Sequence, residues 1–412
     1  MKKIKILFVL GFLLLSGSSL LRAQSLDDYL TQAGQQNAGL KALFNDYMAA
    51  LEKVPQAKSL PDPVMAFGYF LSPVETRVGA QEFRISASQM LPWFGELKAR
   101  EQASIYMAKA KYEAFISARD KLYLDVKKLY FQLFYLEESI RTTDENIVLV
   151  KSMKDLATIK FESGKAGMVD VLRADMEINK LEDRLAFYED SRLPLKAAFR
   201  QMLNDSTLNL IWPDTLNAAN WLLEKDALRD SISVSNPQLK SLGEQQKAWH
   251  YQHEAAIKAG YPSINLGLDY INIGLRSDLN PVGNGRDAFM PKIGFTLPIY
   301  RNKYRAMQQE TLLMQESLAQ QTIEVANRLN TELELADRDL IDAERRIVLY
   351  NEQLSIAQQA LHILISAYTS AGSDFEEVLR MDRMLLDYDL QLAKAIVDQN
   401  TAVAQLTYLI QH

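Results

Sequence analysis

The chain repeats a set of landmarks about 200 residues apart, in the same order both times. The matching segments are 37–40 and 236–239, Pro63 and Pro262, Gly68 and Gly267, 91–94 and 297–300, and the Val-Leu-Arg runs at 171–173 and 378–380. The order is kept while the spacing drifts between landmarks, which is typical of a tandem duplication of one architectural unit. The 412 residues therefore predict two copies of a helix, two strands and a pair of long helices.

Long helices dominate each predicted copy. From Ile105 the apolar side chains recur at alternating steps of three and four, and neither Pro nor Gly interrupts the chain between Glu96 and Ser163. That period predicts a supercoiled helix, about 100 Å long at 1.5 Å per residue. The pattern returns along 171–202, and the second copy repeats both limbs at 329–368 and 378–409. Because the turns at 164–167 and 370–373 are short, each pair of limbs is expected to pack antiparallel as a hairpin.

Short segments between the helices alternate apolar and polar side chains. Leu266 and Leu268 alternate with Gly267 and Asp269, and similar patterns occupy 83–89 and 293–297, while 64–71 is apolar on both faces. Such runs are typical of strands in an outer-membrane barrel, although two soluble hairpins share the pattern. Four strands cannot close a barrel, and a bilayer offers nothing to hydrogen-bond an open sheet edge. If these strands lie in a membrane, several copies of the chain must assemble.

The composition excludes several classes of protein. The formal net charge is −6, or −10 once the four basic residues of segment 1–23 are removed. An acidic chain lacks the basic face that nucleic-acid binding requires. The absence of cysteine excludes disulfides and thiolate metal sites. The four histidines belong to no recognisable catalytic motif, and no Gly-rich phosphate loop is present. We therefore expect neither an enzyme nor a bound cofactor or metal ion.

The N-terminal segment has the pattern of an export signal. Residues 1–23 combine a basic start, an apolar run and small residues before Gln24. The apolar run is shorter than the about 20 residues that a membrane-spanning helix requires. We expect 1–23 to be a cleaved signal peptide, 24–203 the first structural repeat, 204–228 a connector and 229–412 the second repeat.

Together these features resemble the TolC family of outer-membrane channels over about residues 25–411. The resemblance rests on the duplicated Asn-x-x-Leu helix start, the Pro-strand-loop-strand-Leu-Pro unit, the pattern Tyr368…Ala371-Gly372…Val378-Leu379, and their spacing around two long hairpins. It implies a mainly α fold with a small β part, in which each chain gives four transmembrane strands to the twelve-stranded barrel of a homotrimer. It also implies a periplasmic α-helical tunnel and an equatorial patch from 204–228.

The resemblance places a periplasmic gate where the hairpins turn. Tyr368 corresponds to a latch tyrosine of the family, and Glu377 corresponds to the first of two acidic positions that face the channel. The second acidic position falls on Arg380, and a latch arginine falls on Ser373, so this chain departs from the family pattern at both.

Other acidic residues are candidates for the same gate. They are Asp170, Asp374 and Glu376. An acid repeated three times around an axis would favour cations. The acids at 376 and 377 suit the first turn of a helix equally well, because negative charge is stabilising there.

Two further sets of residues carry expectations from the resemblance. The turns expected to dock a periplasmic adaptor contain Gly164, Lys165, Gly167, Ala371, Gly372 and Ser373. The aromatic residues expected at the membrane interface are Trp93, Phe94 and Tyr300. Glycine at a tight turn also has a purely conformational explanation.

The implied function is the outer-membrane exit duct of a tripartite efflux pump, passing small molecules or metal ions passively from the periplasm to the exterior. The implied partners are two further copies, a periplasmic adaptor (membrane fusion protein), an inner-membrane pump and outer-membrane lipid. A type I secretion exit channel is an alternative, and a periplasmic coiled-coil scaffold is an alternative of a different class. The cargo stays open among drugs, metal ions and proteins, because its choice resides mainly in the pump.

Overall fold

Eight helices and one four-stranded sheet make up the part of the chain that the structure, a computed structural model, describes: residues 25–207, 210–211, 215–370 and 374–410. The elements are α1 (Leu26–Gln36), α2 (Ala38–Lys58), β1 (Val64–Thr76), β2 (Gly79–Leu91), α3 (Glu96–Glu162), α4 (Met168–Leu203), α5 (Lys225–Ser235), α6 (Pro237–Lys258), β3 (Ile264–Ile273), β4 (Ala288–Phe295), α7 (Arg301–Ser370) and α8 (Phe375–Ile410). The expected signal peptide 1–23 and the turn residues Ala371, Gly372 and Ser373 lie outside the described residues.

The long helices form where the apolar period predicts them. α3 has 67 residues and α7 has 70. The repeating positions of α3 are buried through most of its length, for example Val126, Leu133 and Val150, each exposed by 0%. Phe161 is 43% exposed, because it occupies the last turn of α3, beyond the packed stretch. The prediction of two long helical pairs is confirmed.

The duplicated asparagines play one structural role twice. The Asn37 side-chain amide donates to the carbonyl of Met202 (3.0 Å), near the end of α4. The Asn236 amide donates to the carbonyl of Leu409 (3.2 Å), near the end of α8. The last carbonyls of a helix have no partner within the helix, so each asparagine ties the start of a repeat to the final turn of its return helix.

The four strands form one antiparallel sheet in the order β1-β2-β3-β4. Its two faces differ in chemistry, as the alternation predicts. One face is mostly apolar and carries Met65, Phe67, Tyr69, Phe83, Ile85, Ala87, Gln89, Leu266, Leu268, Tyr270, Phe289, Pro291, Ile293 and Phe295. The other is mostly small or polar and carries Ala66, Gly68, Arg84, Ser86, Ser88, Asn265, Gly267, Asp269, Lys292 and Gly294, together with the apolar residues Val64, Met90, Ile271 and Met290. Leu297 lies beyond the end of β4, because Pro298 follows it and proline cannot continue a hydrogen-bonded ladder.

Aromatic rings cross the apolar face from one edge of the sheet to the other. Ring centroids are 5.8 Å apart for Phe67 and Phe83, 6.1 Å for Phe83 and Tyr270, and 5.3 Å for Tyr270 and Phe289. Phe67 and Phe289 are 69% and 68% exposed. An aromatic face this exposed needs an apolar environment or a partner to cover it.

Contacts divide the chain into two compact units. One comprises the described residues of Met1–Ala38, Arg119–Leu223 and Leu333–Tyr408, and the other comprises Gly39–Ala118, Glu224–Glu332 and Leu409–His412. The first unit holds two apolar cores, one around Tyr29, Leu133 and Phe199 and one around Val150, Leu181 and Leu379. The second unit contains the sheet. Among the described helices, none has an 18-residue window apolar enough to cross a bilayer.

Candidate functional site at the hairpin turns

Tyr368 lies buried in the last turn of α7, with 3% of its surface exposed. Its ring packs against the ring of Phe375, the first residue of α8, at a centroid distance of 5.1 Å. The ammonium of Lys160 lies 4.1 Å from the tyrosine ring centroid and donates to the tyrosine carbonyl. The hydroxyl donates to a carboxylate oxygen of Asp170 in the first turn of α4 (3.3 Å). Tyr368 on α7 therefore contacts the ends of three other helices, α3, α4 and α8.

Burial controls the protonation of this tyrosine. Burial, and then the nearby Asp170 carboxylate, raise the pKa of Tyr368 to about 12. The phenol therefore stays protonated and remains a hydrogen-bond donor at any physiological pH, so titration of the phenol itself does not break this contact.

Arg173 connects the first turn of α4 with the start of α8. Its guanidinium lies 3.7 Å from Asp170, 3.5 Å from Asp374 and 3.5 Å from Glu376. Glu376 also accepts from Arg383 at 2.6 Å. The structure thus gathers Tyr368 with three of the predicted acids into one network of ion pairs.

The network extends to a second, more buried acid on α4. Arg383 donates to Glu177 at 3.2 Å, and Glu177 is only 6% exposed. Sequence reasoning missed Arg173, Glu177 and Arg383. Two sequence features could have identified the first two of them. Arg173 belongs to the duplicated Val-Leu-Arg run. Glu177 follows Asp170 by seven residues, which is two helical turns and puts both acids on the same face.

Glu377 lies apart from this network. Its carboxylate forms an ion pair with Arg380, one turn further along α8. Asp374 accepts from the backbone N–H of Glu376 (3.0 Å), so it also caps the start of α8. Helix capping is thus a role of Asp374, while Glu376 is held by two arginines. A channel-facing role for Glu377 stays a prediction.

Asp382 is a fully buried carboxylate, 0% exposed, about two turns beyond Glu376 on α8. One oxygen accepts from the Asn146 amide on α3 (3.0 Å), and the other has no hydrogen-bond partner among the described residues. Burial raises the pKa of Asp382 to about 6, and the charge of Glu177 adds to the rise while Asn146 and Arg383 oppose it.

The first hairpin turn is described and has the expected form. Gly164 has φ +71°, a left-handed conformation that favours glycine. The N–H groups of Gly164 and Lys165 donate to the carbonyls of Phe161 (2.9 Å) and Lys160 (2.8 Å), which satisfies the last turn of α3. Gly167 precedes α4 in extended conformation. Docking of an adaptor at this turn stays a prediction.

The predicted interfacial aromatics lie where the sheet meets helices. Trp93 stacks on Tyr261 with centroids 5.3 Å apart, and Phe94 meets Trp93 edge-on at 5.8 Å. Phe94 and Tyr300 are 76% and 78% exposed.

Comparisons with known proteins show what part of the chain resembles in sequence. Residues 30–205 match the family model of the outer membrane efflux proteins. A segment of 178 residues is 24% identical to toxin and drug export protein A of Aggregatibacter actinomycetemcomitans, covering 42% of this chain and 38% of that protein. The chain spans less than half the length of the curated relatives it matches.

The structural similarity covers nearly the whole chain. The outer membrane protein VceC of Vibrio cholerae superposes with a TM-score of 0.77 at 16% identity, covering 93% of this chain and 95% of that one. The open state of the MtrE outer membrane channel of Neisseria gonorrhoeae gives 0.74 at 17% identity, covering 93% and 88%. At such low identity these matches establish the fold, which is that of outer-membrane channels. Residues 30–205 are thus similar in sequence to the outer membrane efflux proteins, and the described chain has the fold of outer-membrane channels.

Proposed function

We propose that the protein is the outer-membrane exit duct of a tripartite efflux pump, built as a homotrimer and gated where the helical hairpins turn. The observation that carries this proposal is the four-stranded sheet. One face of the sheet is mostly apolar and aromatic, the opposite face is mostly small or polar, and each edge strand pairs on one side only within the described chain. That combination suits a segment of a membrane barrel with lipid outside and water inside.

The open edges argue for assembly. β1 and β4 each leave a row of backbone groups without a strand partner among the described residues. In a bilayer such groups cannot bond to water, so the edges must pair with other copies. Three chains would join β4 of one copy to β1 of the next and close twelve strands.

A stripe of exposed apolar side chains on α7 supports contact between copies. Ile341, Val348, Ile356 and Ile363 are 56%, 61%, 61% and 65% exposed. They recur every seven or eight residues, so they share one face of the helix. Exposed apolar patches of this kind mark interaction surfaces, and a symmetric assembly would cover the stripe on every copy.

The proposed gate is an ion-pair network rather than a ring of free acids. Each predicted acid at the described hairpin ends contacts a basic side chain or the Tyr368 hydroxyl. Opening the end of the duct would require separating α4 from α8, where Arg173 bridges them. Docking of an adaptor on the turns, including Gly164, Lys165 and Gly167, would supply the free energy for that separation.

The proposed duct depends on an inner-membrane pump for its energy and its choice of cargo. An inner-membrane pump would provide the energy and select the cargo, and the duct would pass it from the periplasm across the outer membrane. A similar protein bears the name toxin and drug export protein A, which makes small drugs the first cargo to test. Metal ions and exported proteins are the alternative cargoes.

The test is fractionation of cells that produce the full-length protein, followed by the mass of the extracted particle. We expect recovery from the outer membrane only with detergent, at the mass of three chains, and a rise in drug susceptibility when the gene is deleted. A soluble periplasmic monomer would contradict the duct and would favour a coiled-coil scaffold instead.

A further inference from the structure

We propose that the junction between the sheet and the long helices binds the phosphate of a membrane phospholipid, held by Lys258 and Arg301 beside an aromatic platform of Trp93, Phe94 and Tyr261. These five residues are called the headgroup site. The inference rests on the proposed function, because it requires the sheet to lie in a membrane.

The platform is built from two neighbouring strands. Trp93 and Phe94 follow the end of β2, and Tyr261 precedes β3, the strand that pairs with β2. The Trp93 and Tyr261 rings are inclined by 21°, and Phe94 stands at 69° to Trp93. Phe94 is 76% exposed and Tyr261 is 49% exposed. Aromatic side chains with one wet and one apolar side favour the headgroup level of a bilayer.

Two cations are fixed next to this platform by backbone carbonyls. The Lys258 ammonium donates to the carbonyl of Gly95 at 3.4 Å, directly after Phe94. The Arg301 guanidinium donates to the carbonyl of Gly260 at 3.3 Å, directly before Tyr261. Each cation keeps further N–H donors, and a guanidinium suits the bidentate recognition of phosphate.

The balance of charge at the site is positive. Lys303 lines a cavity with Tyr261, but its charge and that of Arg100 are balanced there by Asp62 and Glu96, so the surplus positive charge at the site comes from Arg301. Lys258 forms an ion pair with Glu254 at 3.6 Å. Glu96, which lies next to the platform, is already paired with Arg100. An anionic ligand is therefore favoured over a cationic one.

Exposed apolar residues around the site indicate a lipid rather than a soluble anion. Leu297, Ile299 and Tyr300 lie between β4 and α7 and are 74%, 70% and 78% exposed. A free phosphate ion would gain nothing from them. A phospholipid would cover them with its acyl chains while its phosphate meets the cations at the interface, where basic residues and anionic lipid attract each other.

The test compares matched double variants of detergent-purified protein by native mass spectrometry with added phosphatidylglycerol. Lys258→Gln with Arg301→Gln removes the cations of the headgroup site. Lys247→Gln with Arg328→Gln makes the same charge change on the same two helices, α6 and α7, at positions further from the sheet. We expect about 25-fold weaker lipid retention for the first double variant, from about fivefold for each cation, and wild-type retention for the second.

A second measurement does not depend on the charge variants. In a variant with Trp212, Trp221 and Trp249 changed to Phe, Trp93 is the remaining tryptophan. In reconstituted vesicles its fluorescence should be quenched more strongly by lipids brominated near the headgroup than by lipids brominated near the chain ends. Stronger quenching by the deep label would overturn the site.

Other outcomes separate this inference from the duct itself. Equal lipid retention by both double variants, in trimers that still require detergent, would overturn the headgroup site and leave the duct standing. The inference would also be overturned if the first double variant lost its trimers but still retained lipid. Lys258 and Arg301 would then contact a neighbouring copy of the chain rather than a lipid. A wild-type protein recovered without detergent would overturn both proposals together.

Discussion

At the scale of single residues, burial has its clearest effect on the pKa of Asp382. A carboxylate with no exposed surface and one unbonded oxygen is costly when charged. Its pKa in the folded protein, about 6, lies above the ordinary value of 3.8. The stability that comes from its protonation is therefore complete below about pH 3.8 and is lost as the pH rises through 6. Mild acid should therefore stabilise the folded protein by removing the buried charge of Asp382.

We predict that Asp382→Asn removes this pH dependence. The neutral amide should make the protein more stable than wild type at pH 8, by up to about 3 kcal/mol from a shift of this size. Thermal unfolding of purified protein between pH 5 and pH 8 measures the effect. Asp387→Asn, at an exposed position of α8, is the control and should keep the wild-type slope. Equal slopes for wild type and Asp382→Asn would contradict the assignment.

A second residue-scale prediction concerns the buried tyrosine. Tyr368→Phe keeps the ring contacts with Phe375 and Lys160 and removes only the hydrogen bond to Asp170. A bond of that kind contributes about 1 kcal/mol, so the open fraction of the gate should rise about fivefold. Single-channel recordings in planar bilayers give that fraction.

The control for the tyrosine is Tyr350→Phe, which lies in the middle of α7 and packs against Tyr388. It should leave the open fraction unchanged. If both variants conducted alike, or if neither differed from wild type, the Tyr368 hydroxyl would have no part in gating.

At the scale of elements, the first hairpin turn contains two glycines with different roles. Gly164 is needed for the backbone conformation, whereas Gly167 is available for contact with a partner. Gly164 has φ +71°, so any side chain there strains the backbone. Gly167 has φ −85°, and the nearest atom to an added Cβ is the Val169 nitrogen at 3.9 Å. A side chain at 167 therefore leaves the hairpin intact and protrudes where an adaptor is proposed to dock.

We predict that Gly167→Leu blocks coupling to the adaptor without harming assembly. Drug susceptibility should approach that of the deletion strain, while the yield and mass of the detergent-extracted particle stay normal. Gly243→Leu, on α6 and also with open space around an added Cβ, is the matched control and should keep full efflux. Normal efflux in the Gly167 variant would remove this turn from the docking surface.

At the scale of the whole molecule, the two faces of the sheet define what surrounds it. Leu268 lies on the apolar face near the middle of β3, and Ser88 lies on the small, polar face of β2. A basic side chain that faces lipid costs about 2–4 kcal/mol near the bilayer centre, whereas one that faces a water-filled channel costs little.

We therefore predict that Leu268→Arg strongly lowers the amount of trimer recovered from the outer membrane, and that Ser88→Arg does not. Blotting of membrane fractions, with unheated samples to preserve trimers, measures both. The opposite ranking would place the polar face against lipid, and equal recovery would mean that neither face contacts the bilayer.

The sequence alone determined the elements and their order, because the signals for them act over a few residues. The apolar period sets the long helices, glycine sets the turn at Gly164, and alternation sets the faces of the strands other than β1, whose start is apolar on both faces. The duplication also predicted that Asn37 and Asn236 would lie at the starts of equivalent helices, since equal landmarks in equal order imply equal structure. None of these signals depends on which distant residues come into contact in the tertiary structure.

The tertiary structure alone decided which charges meet at the candidate gate. Arg173 and Asp374 are 201 positions apart in the chain, and Asn146 and Asp382 are 236 apart. Whether such residues touch depends on the register and rotation of one long helix against another, and a helix turned by a single residue swings its side chains by about 100°. The sequence could name Tyr368 and the acids near it, but only the packing of α3, α4, α7 and α8 chose Arg173, Glu177 and Arg383 as their partners.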